Sequence, residues 1–398
     1  MLSEKTIEIV KSTAPVLEKY GQDITKRFYE MMFEAHPELL NIFNQTNQKT
    51  GRQQTALANT VYAAAVYIDQ LDKIIPVVKQ IAHKHRSIGI KAEHYPIVGK
   101  HLLLAIKDVL KEAATDDIIN AWAEAYGVIA DAFIQVERDM YVAAENKEGG
   151  WKDYKPFSVV RKVKESDVIT SFYLQPKDGA GVSSFVPGQY ISVRVSIPGK
   201  EYTHIRQYSL SDAPNGEYYR ITVKREADDQ KPEGAVSNYL HDYVNEGDGI
   251  EVSAPAGEFV LDMENGKPLV LISGGVGVTP LMSMLKTAAE KQPNRDITFI
   301  HATQSGRHHA LREEAAAVSA NTFVCYENPT EEDRTLQNFD KEGYITADWL
   351  QEVIADKNAD YYMCGPVPFM KAIYQALKEI GVEEEAIHYE FFGPNMKL

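Results

Sequence analysis

The sequence is poor in cysteine and has no long apolar stretch that reads as a membrane helix. Only two cysteines occur among the 398 residues, Cys325 and Cys364, which excludes a disulfide framework and a CxxC-type metal or redox site. The run from Pro268 to Leu285 is uncharged for 18 residues, but its SGGVGVTP segment predicts a loop between a strand and a helix. The N-terminus, MLSEKTIEIV, has charges where a signal peptide would have its apolar stretch. We therefore expect a cytoplasmic protein without a membrane span.

Positive charge is also scarce. The chain has 42 Lys and Arg against 57 Asp and Glu, which gives a formal net charge of −15. It therefore lacks the electrostatic footprint of a protein that binds nucleic acid or an anionic membrane. Hydrophobic residues make up 44% and charged residues 25%, which is ordinary for globular proteins and excludes a disordered, collagenous or coiled-coil chain. The length is sufficient for two or three domains.

Glycine is rare before residue 150, and apolar residues recur there at spacings of three and four. One such stripe consists of Trp122, Tyr126, Ile129, Phe133 and Met140. The pattern predicts helices over 3–20, 22–35, 37–43, 51–69, 74–86, 94–112 and 116–145. Ser3 and Asp23 suit N-cap positions, and Pro37 and Pro76 suit first turns. We predict an all-helical domain over 1–147, followed by the charged, glycine-rich linker ENKEGGW (145–151).

Two further regions follow the linker. Over 151–262 the apolar pattern has period two, as in FSVVRKV (157–163), YISVRVSI (190–197) and YYRITVKRE (218–226), and it predicts an antiparallel β-barrel. Over 263–398 short apolar strands alternate with helical stretches at 280–292, 309–319, 346–355 and 367–380. The strands are PLVLIS, DITFIHA, TFVCYE, DYYMCG and IHYEFF. This alternation predicts an α/β domain with a doubly wound, mostly parallel sheet.

Several segments of these two regions have the chemistry of cofactor binding. The glycine-rich turn GGVGVTP (274–280) would let the backbone approach a pyrophosphate at a helix N-terminus, although it could also be a tight turn without a ligand. The RQYS segment (206–209), placed between two predicted barrel strands, offers a guanidinium for a phosphate and an aromatic ring for a flavin. GAVS (234–237) offers a second small-residue helix start. Cys364-Gly365-Pro366 closes a strand at the edge of the sheet where a nicotinamide would lie.

In the helical half, His85 ends an apolar stripe with spacings of 4, 3 and 4, formed by Ile74, Val78, Ile81 and His85. A lone histidine on such a face is usually a core residue. Phe43 lies 42 residues earlier, and Gln53 and Leu57 form an inward i, i+4 pair. Tyr29 stands beside Phe28 in the second predicted helix. Alternatively, Tyr29 and Gln53 are each an ordinary, partly buried polar residue without a role in ligand binding.

Six ordered motifs resemble the ferredoxin-reductase-like flavin enzymes, which join an FAD-binding barrel to an NAD(P)H-binding sheet. They are PGQY (187–190), RQYS (206–209), GxxS (234–237), PAGEF (255–259), GGVGVTP (274–280) and CGPVPFM (364–370). The resemblance implies that the flavin is held by Tyr190, Arg206, Gln207, Tyr208, Ser209, Gly234 and Ser237. It implies that the nicotinamide nucleotide is bound by Gly274, Gly275, Val276, Gly277, Val278, Thr279, Cys364 and Gly365. The terminal FFGP, consisting of Phe391, Phe392, Gly393 and Pro394, would lie against the flavin ring.

The order of residues in the helical half resembles a globin, and the chain as a whole resembles the flavohaemoglobins. AHKHRS (82–87), EHYPIVG (93–99), AWAEAYGV (121–128) and FIQVERDMY (133–141) look like the globin signature of that family. The resemblance makes His85 the proximal ligand of haem b. Phe43 would wedge the haem, and Tyr29, Gln53 and Leu57 would line its distal side. A distal glutamine departs from the histidine of vertebrate oxygen carriers.

The same resemblance implies a proximal triad of His85, Tyr95 and Glu137. The spacing agrees, because Glu137 follows Phe133 by four residues and falls on or beside the inward stripe of the last helix. The alternative interpretation places Glu137 at the rim of the helix, with a salt bridge to a surface lysine. Lys84 matches a position that lies near the flavin in the family. The alternative interpretation is that Lys84 is an ordinary solvated lysine of the helix.

The family resemblance implies a nitric oxide dioxygenase that uses haem, FAD and NAD(P)H to convert NO and O₂ to nitrate. A bound iron needs one electron per turnover, whereas NADH delivers a hydride, and a flavin resolves that mismatch. The expected partners are therefore NO, O₂ and NAD(P)H, and we expect a monomer. Two alternatives remain: a haem-based O₂ or NO sensor or carrier, and a general NAD(P)H-dependent reductase of flavins, quinones or alkyl hydroperoxides. The nicotinamide preference is open, because Ser305 and Arg307 suit either a 2′-phosphate site or a plain loop.

Overall fold

The computed structural model describes residues 2–43, 48, 51–226, 234–319 and 321–393. They form two compact units. Unit 1 contains Met1–Asn146, Trp151–Tyr154 and Arg194–Arg206, and unit 2 contains Lys147–Gly150, Lys155–Val193 and Gln207–Leu398. Within the described ranges, no helix combines the length and the apolar character needed to cross a membrane.

Helices dominate unit 1. They are α1 Glu4–Ser12, α2 Ala14–Ala35, α3 Arg52–Val66, α4 Ile75–Ile88, α5 His94–Leu110 and α6 Asp116–Asn146, with short 3₁₀ turns at Pro37–Asn41, Leu71–Lys73 and Lys111–Ala113. The predicted N-cap at Ser3 is confirmed, because its hydroxyl accepts a hydrogen bond from the Thr6 N–H. Pro37 and Pro76 lie in first turns, as predicted. The main apolar cluster is built from α1, α2, α3, α5 and α6.

The boundary predicted between the first two helices is wrong. The chain breaks at Thr13 rather than near residue 21, so that Asp23 lies inside α2 and is not an N-cap. Pro15 occupies the first turn of α2, where its missing N–H costs nothing. Gly21 stays helical, and a Cβ there would lie 3.3 Å from the Cβ of Ala58, so that α2 and α3 approach closely at this point.

The antiparallel sheet has six strands, in agreement with the predicted barrel: β1 Tyr154–Lys164, β2 Ile169–Pro176, β3 Tyr190–Val195, β4 His204–Ser209, β5 Tyr219–Lys224 and β6 Gly249–Ser253. Their order is β4-β3-β6-β1-β2-β5, and an isolated bridge between Leu210 and Ile221 nearly closes the two edges. The RQYS segment is itself strand β4, so that its predicted position between strands is wrong. Helix α7, Ala235–Tyr243, begins at the predicted GAVS segment.

The second sheet is parallel, as predicted. Its strands are β7 Leu269–Gly274, β8 Ile297–Thr303, β9 Asn321–Tyr326, β10 Lys341–Glu342, β11 Asp360–Cys364 and β12 Ile387–Glu390, in the order β10-β9-β8-β7-β11-β12. The accompanying helices are α8 Val278–Lys291, α9 Arg312–Val318, α10 Glu331–Leu336, α11 Ala347–Val353 and α12 Val367–Glu379. The strand order reverses between β7 and β11, and ligands of such sheets bind outside the carboxyl ends of the strands at that point.

Candidate functional site

The last turn of α4 carries His85, and α4 ends at Gly89, whose φ of 89° is left-handed. His85 Nδ1 lies 2.7 Å from Glu137 Oε1 and 3.2 Å from the Tyr95 hydroxyl. The Tyr95 hydroxyl donates to the same carboxylate oxygen at 2.6 Å. The structure thus brings together three side chains that are 10 and 42 residues apart in the sequence.

Glu137 is only 3% exposed. A buried carboxylate is costly unless donors satisfy it, and here His85 and Tyr95 are those donors. The alternative of a rim position with a surface lysine partner is therefore wrong. Burial and the neighbouring Glu137 carboxylate raise the pKa of Tyr95 well above its ordinary value, so that its hydroxyl remains a donor.

Helix α6 fixes this arrangement through two more tyrosines. The Tyr126 hydroxyl donates to the Tyr95 carbonyl at 2.6 Å, and the Tyr141 hydroxyl donates to the Ile90 carbonyl at 2.7 Å. A Cβ at Gly99 would lie 2.5 Å from the Tyr126 ring, so that only glycine leaves room for it. The position of the trio is therefore determined by backbone contacts as well as by side chains.

A second group of predicted residues surrounds Tyr29 in unit 1. Its ring is T-shaped to Phe43 with centroids 5.9 Å apart, and Gln53 forms a hydrogen bond with its hydroxyl. Burial raises the pKa of Tyr29 despite that hydrogen bond, so that the phenol stays protonated at neutral pH. Leu57 packs against the same apolar cluster. A cavity of about 430 Å³ adjoins the Tyr29 ring.

The hydrogen bonding of His85 fits a histidine that would hold a haem iron. Within the described part of the chain, the hydrogen bonds of its imidazole are made at Nδ1, which leaves Nε2 available to a metal. A ligating histidine commonly donates its other ring nitrogen to a carboxylate, and Glu137 is in place to accept. The residues present therefore suit a porphyrin iron on Nε2.

Lys84 precedes His85 on α4 and is half-buried. Burial, and then the charge of Arg206, lower the pKa of its ammonium group. Arg206 belongs to β4 and lies in the same compact unit as α4. The structure thus brings one predicted flavin-binding residue near the helix that bears His85.

The remaining predicted flavin residues lie on β3, β4 and the start of α7. Gln207 donates to the Ser192 hydroxyl at 3.2 Å, which orients its amide along the sheet. Ser237 accepts a hydrogen bond from the Glu226 N–H at 3.1 Å and donates to the Gly234 carbonyl at 3.0 Å. The Ser237 hydroxyl therefore shapes the turn before α7. Tyr190 begins β3, and Tyr208 and Ser209 end β4.

The predicted nucleotide loop lies at the reversal of strand order. Gly274 ends β7, a 3₁₀ turn covers Gly275–Gly277, and α8 follows with Val278 and Thr279 in its first turn. Gly275 has a left-handed φ of 53°, and a Cβ at Gly277 would lie 2.1 Å from the Cys364 carbonyl oxygen. Cys364 pairs with Ser273 across the sheet, and Gly365 follows it. The loop therefore packs directly on the end of β11.

Sequence reasoning missed Glu390. It pairs with Cys364 in the parallel register, and burial raises its pKa to about 8. Its Oε2 is buried and has no hydrogen-bond partner among the residues that the structure describes. The available signal was an acid inside the apolar strand IHYEFF. Such a perturbed carboxyl at the edge of the sheet is a candidate functional residue. Phe391, which follows it, is buried, whereas Phe392 is 46% exposed. Gly393 ends the described region, and Pro394 lies outside the described residues.

Two residues near the end of β8 concern the nicotinamide preference. Ser305 is buried, and its hydroxyl lies 3.0 Å from His308 Nδ1. Arg307 is exposed. The hydroxyl is therefore already used within the loop, whereas the guanidinium remains accessible.

Comparison with known proteins covers the whole chain. Residues 26–133 match the Globin family, 156–261 the oxidoreductase FAD-binding domain and 271–375 the oxidoreductase NAD-binding domain. The flavohemoprotein of Bacillus thuringiensis subsp. konkukian is 62% identical over 403 aligned positions and 100% of both chains. The chain belongs to the flavohaemoglobin (flavohemoprotein) family. The Bacillus subtilis flavohemoprotein is 60% identical over 100% of this chain and 99% of its own length.

Solved structures agree with this membership. Malassezia yamatoensis flavohemoglobin, crystallised with bound FAD and heme, superposes with a TM-score of 0.83 at 27% identity, over 98% of this chain and 100% of that one. A Vibrio cholerae FAD/NAD-binding domain of nitric oxide dioxygenase is 40% identical with a TM-score of 0.55, over 60% of this chain and 99% of that domain. The predicted three-part fold and the cofactors haem, FAD and NAD(P)H are confirmed. This flavohemoprotein is a haem- and flavin-dependent oxidoreductase.

Proposed function

We propose that this flavohemoprotein is a nitric oxide dioxygenase. Two NO, two O₂ and one NAD(P)H would give two nitrate ions, NAD(P)⁺ and a proton. The observation that carries the proposal is the hydrogen bond between Glu137 and His85 Nδ1 at 2.7 Å, completed by Tyr95. A carboxylate on the proximal histidine increases the electron density that the ligand gives to iron, which favours oxygen activation over simple storage. The 40% identical Vibrio cholerae domain, named for nitric oxide dioxygenase, supports the same assignment.

When bound, haem supplies the O₂ and NO chemistry, and FAD divides a two-electron donor into single electrons. The chain's own residues have separate tasks. Glu137 would accept a hydrogen bond from the Nδ1–H group of His85, and the Tyr95 hydroxyl would hold that carboxylate in place. Tyr29, protonated because it is buried, would donate a hydrogen bond to the diatomic substrate. Gln53 would orient the Tyr29 hydroxyl, while Phe43 and Leu57 would exclude water from the space beside it.

The reductase residues would bind the other two cofactors. Arg206 would neutralise a flavin phosphate, and Tyr208 would stack on the ring. The N–H groups of 274–279 would bind the nucleotide pyrophosphate at the start of α8. We further propose that the protein acts as a cytoplasmic monomer. Light scattering of the purified protein and cell fractionation test these two statements.

The test measures NO with an electrode while nitrate and NADH are quantified in aerobic buffer. We expect NADH-dependent NO loss with two NO consumed per NADH and nitrate as product. Tyr29→Phe should reduce the rate by about 10- to 100-fold, because a hydrogen bond to a charged group contributes about 1.5–3 kcal/mol. Tyr62→Phe, at an exposed position of α3, is the matched control and should change nothing.

Other outcomes would contradict the proposal. Tight O₂ binding with slow haem reduction and no nitrate would identify a sensor or carrier. NADH oxidation by quinone or alkyl hydroperoxide that survives haem removal, again without nitrate, would identify a general reductase.

A further inference from the structure

Four charged side chains of unit 2 form a compact group that no part of the proposed chemistry uses. We call Asp212, Arg220, Lys286 and Glu314 the charge cluster. The Arg220 guanidinium donates to both oxygens of Glu314, with Nη2 and Oε2 3.0 Å apart. The Lys286 ammonium group contacts Asp212 and lies 3.3 Å from Glu314 Oε2. The Arg220 side chain is 1% exposed and that of Asp212 is 8% exposed.

The cluster joins the two cofactor-binding segments of the reductase. Asp212 follows Ser209, the last residue of the RQYS strand, by three positions. Lys286 lies on α8, the helix that the glycine-rich nucleotide loop opens. On the same helix, Ser283 donates its hydroxyl hydrogen bond to the Asp212 carbonyl at 2.7 Å. Ser283 is one helical turn, about 6 Å, from Thr279 at the end of that loop.

Apolar contacts already pack α8 against the barrel region without the charge cluster. Ile169 and Leu261 of the barrel region already belong to one apolar cluster with Leu281 and Leu285 of α8. Buried ion pairs add little net stability over apolar residues, but breaking one partner leaves an uncompensated charge. The cluster has two positive and two negative groups, so that any sliding of α8 separates charges in a region of low exposure. The charge cluster therefore favours one position of α8 relative to the segment that carries Asp212 over nearby positions.

The charge of Asp212 is stabilised by its neighbours. Burial acts to raise the pKa of Asp212, but Arg220 and Lys286 outweigh it and hold the pKa below its usual value. The Tyr218 hydroxyl, 2.9 Å from Asp212 Oδ2, donates a further hydrogen bond to the carboxylate. Glu314, on α9, is the more exposed acid of the pair at 33%.

We propose that the charge cluster positions the nicotinamide loop relative to the flavin segment and thereby sets the distance for hydride transfer. None of its members needs to touch a cofactor, so they are positioning residues. In the step that they support, NADH loses a hydride and becomes NAD⁺, while FAD gains that hydride and one proton from solvent. The inference rests on the oxidoreductase activity of the family and not on NO as substrate.

The test compares Lys286→Gln, Glu314→Gln and the double variant in the holoenzyme. Their matched controls are Lys291→Gln on α8 and Glu313→Gln on α9, because both are exposed neighbours of the same charge. Anaerobic stopped-flow absorbance at saturating NADH gives the limiting rate of flavin reduction, and the NADH series gives the apparent binding constant. Hydrogen–deuterium exchange of the amides of 274–279, without NADH, reports the loop independently of activity.

We expect each single variant to lower the limiting rate by about 10- to 100-fold, because misplacing reactants by about 1 Å has that effect. FAD and haem content should stay as in the wild type, and the amides of 274–279 should exchange faster. The double variant should lose less than the product of the two single effects, because both changes break one network. The controls should match the wild type in every measurement.

A wild-type limiting rate and wild-type exchange in Lys286→Gln and Glu314→Gln would overturn the proposal. Loss of FAD with an unchanged rate per bound flavin would also overturn it, since the cluster would then only retain the flavin. Failure of the nitric oxide assay would leave the flavin reduction measurement intact, so that the two proposals fail separately. Both residues are partly exposed, at 26% and 33% of the side chain, which favours folding of the variants.

Discussion

Replacing Glu137 by glutamine removes one charge and leaves the shape of the side chain nearly unchanged. Glu137 Oε1 accepts hydrogen bonds from His85 Nδ1 at 2.7 Å and from the Tyr95 hydroxyl at 2.6 Å. Hydrogen bonds to charged groups contribute about 1.5–3 kcal/mol, and neutral ones about 0.5–1.5 kcal/mol. The substitution should therefore weaken the bond to His85 by about 1–1.5 kcal/mol while the amide oxygen still accepts it.

The weaker hydrogen bond to His85 should shift the midpoint potential of the haem. A carboxylate on the imidazole stabilises the more positive, ferric state of a bound iron, because it increases the negative character of the ligand. For a one-electron couple, about 1.4 kcal/mol corresponds to about 60 mV. We expect the midpoint potential of the haem in Glu137→Gln to rise by at most about 60 mV, because only the part of the bond energy that differs between the two oxidation states shifts the potential. The iron–histidine bond should lengthen, so that its stretching frequency falls.

Two measurements test this prediction. Spectroelectrochemical titration of the Soret band gives the midpoint potential, and resonance Raman spectroscopy of the ferrous protein gives the iron–histidine stretch. Glu145→Gln, at an exposed position of the same helix, is the matched control and should change neither quantity. An unchanged potential together with an unchanged stretch, in a folded and haem-loaded Glu137→Gln variant, would refute the role given to Glu137.

Three further predictions concern other parts of the chain. His85→Ala should lose haem while FAD content and NADH oxidation by ferricyanide persist, and normal haem content with normal NO turnover would contradict it. Arg206→Ala should lower FAD retention and stop haem reduction by NADH, whereas dithionite-reduced globin should still bind O₂; full FAD occupancy with unchanged reduction kinetics would count against it. Burial raises the Glu390 pKa from 4.5 to about 8, so the folded state keeps a proton that the unfolded chain releases between those values. The free energy of unfolding should thus fall by about 5 kcal/mol as pH rises through that window. Urea unfolding at several pH values should show a flatter profile for Glu390→Gln, and an unchanged profile would disprove the assignment.

The sequence predicted the architecture because each region has its own hydrophobic period. The family resemblance implied that His85, Tyr95 and Glu137 would meet, and the helix stripe agreed with it only in placing Glu137 on or beside the inward face. The break before α2 was misplaced because Gly21 and Asp23 have the residue types of a helix end. Close packing of Gly21 against Ala58, a tertiary contact, keeps that stretch helical.

Residues whose roles depend on long-range partners were not predictable. Arg220 reads as one more polar residue in an alternating strand, yet its charge is matched by Glu314, 94 residues later. Glu390 has the sequence context of a strand end, and its raised pKa comes from burial of its carboxyl group in the folded chain, where Oε2 is buried. Hydrophobic periodicity predicts which face of a helix or strand is buried, but not which other element packs against that face.

Helix α6 contains 31 residues and is therefore about 46 Å long. Trp122, which donates to the Thr13 hydroxyl at one end, Tyr126, Glu137 and Tyr141 all depend on its rotational register. Inserting or deleting one residue near Ile129 would rotate everything beyond it by about 100°, because an α-helix has 3.6 residues per turn. Single substitutions on its outer face should be tolerated, whereas length changes within it should not. Natural or engineered length variation in this family is therefore expected in the loops between helices and not inside α6.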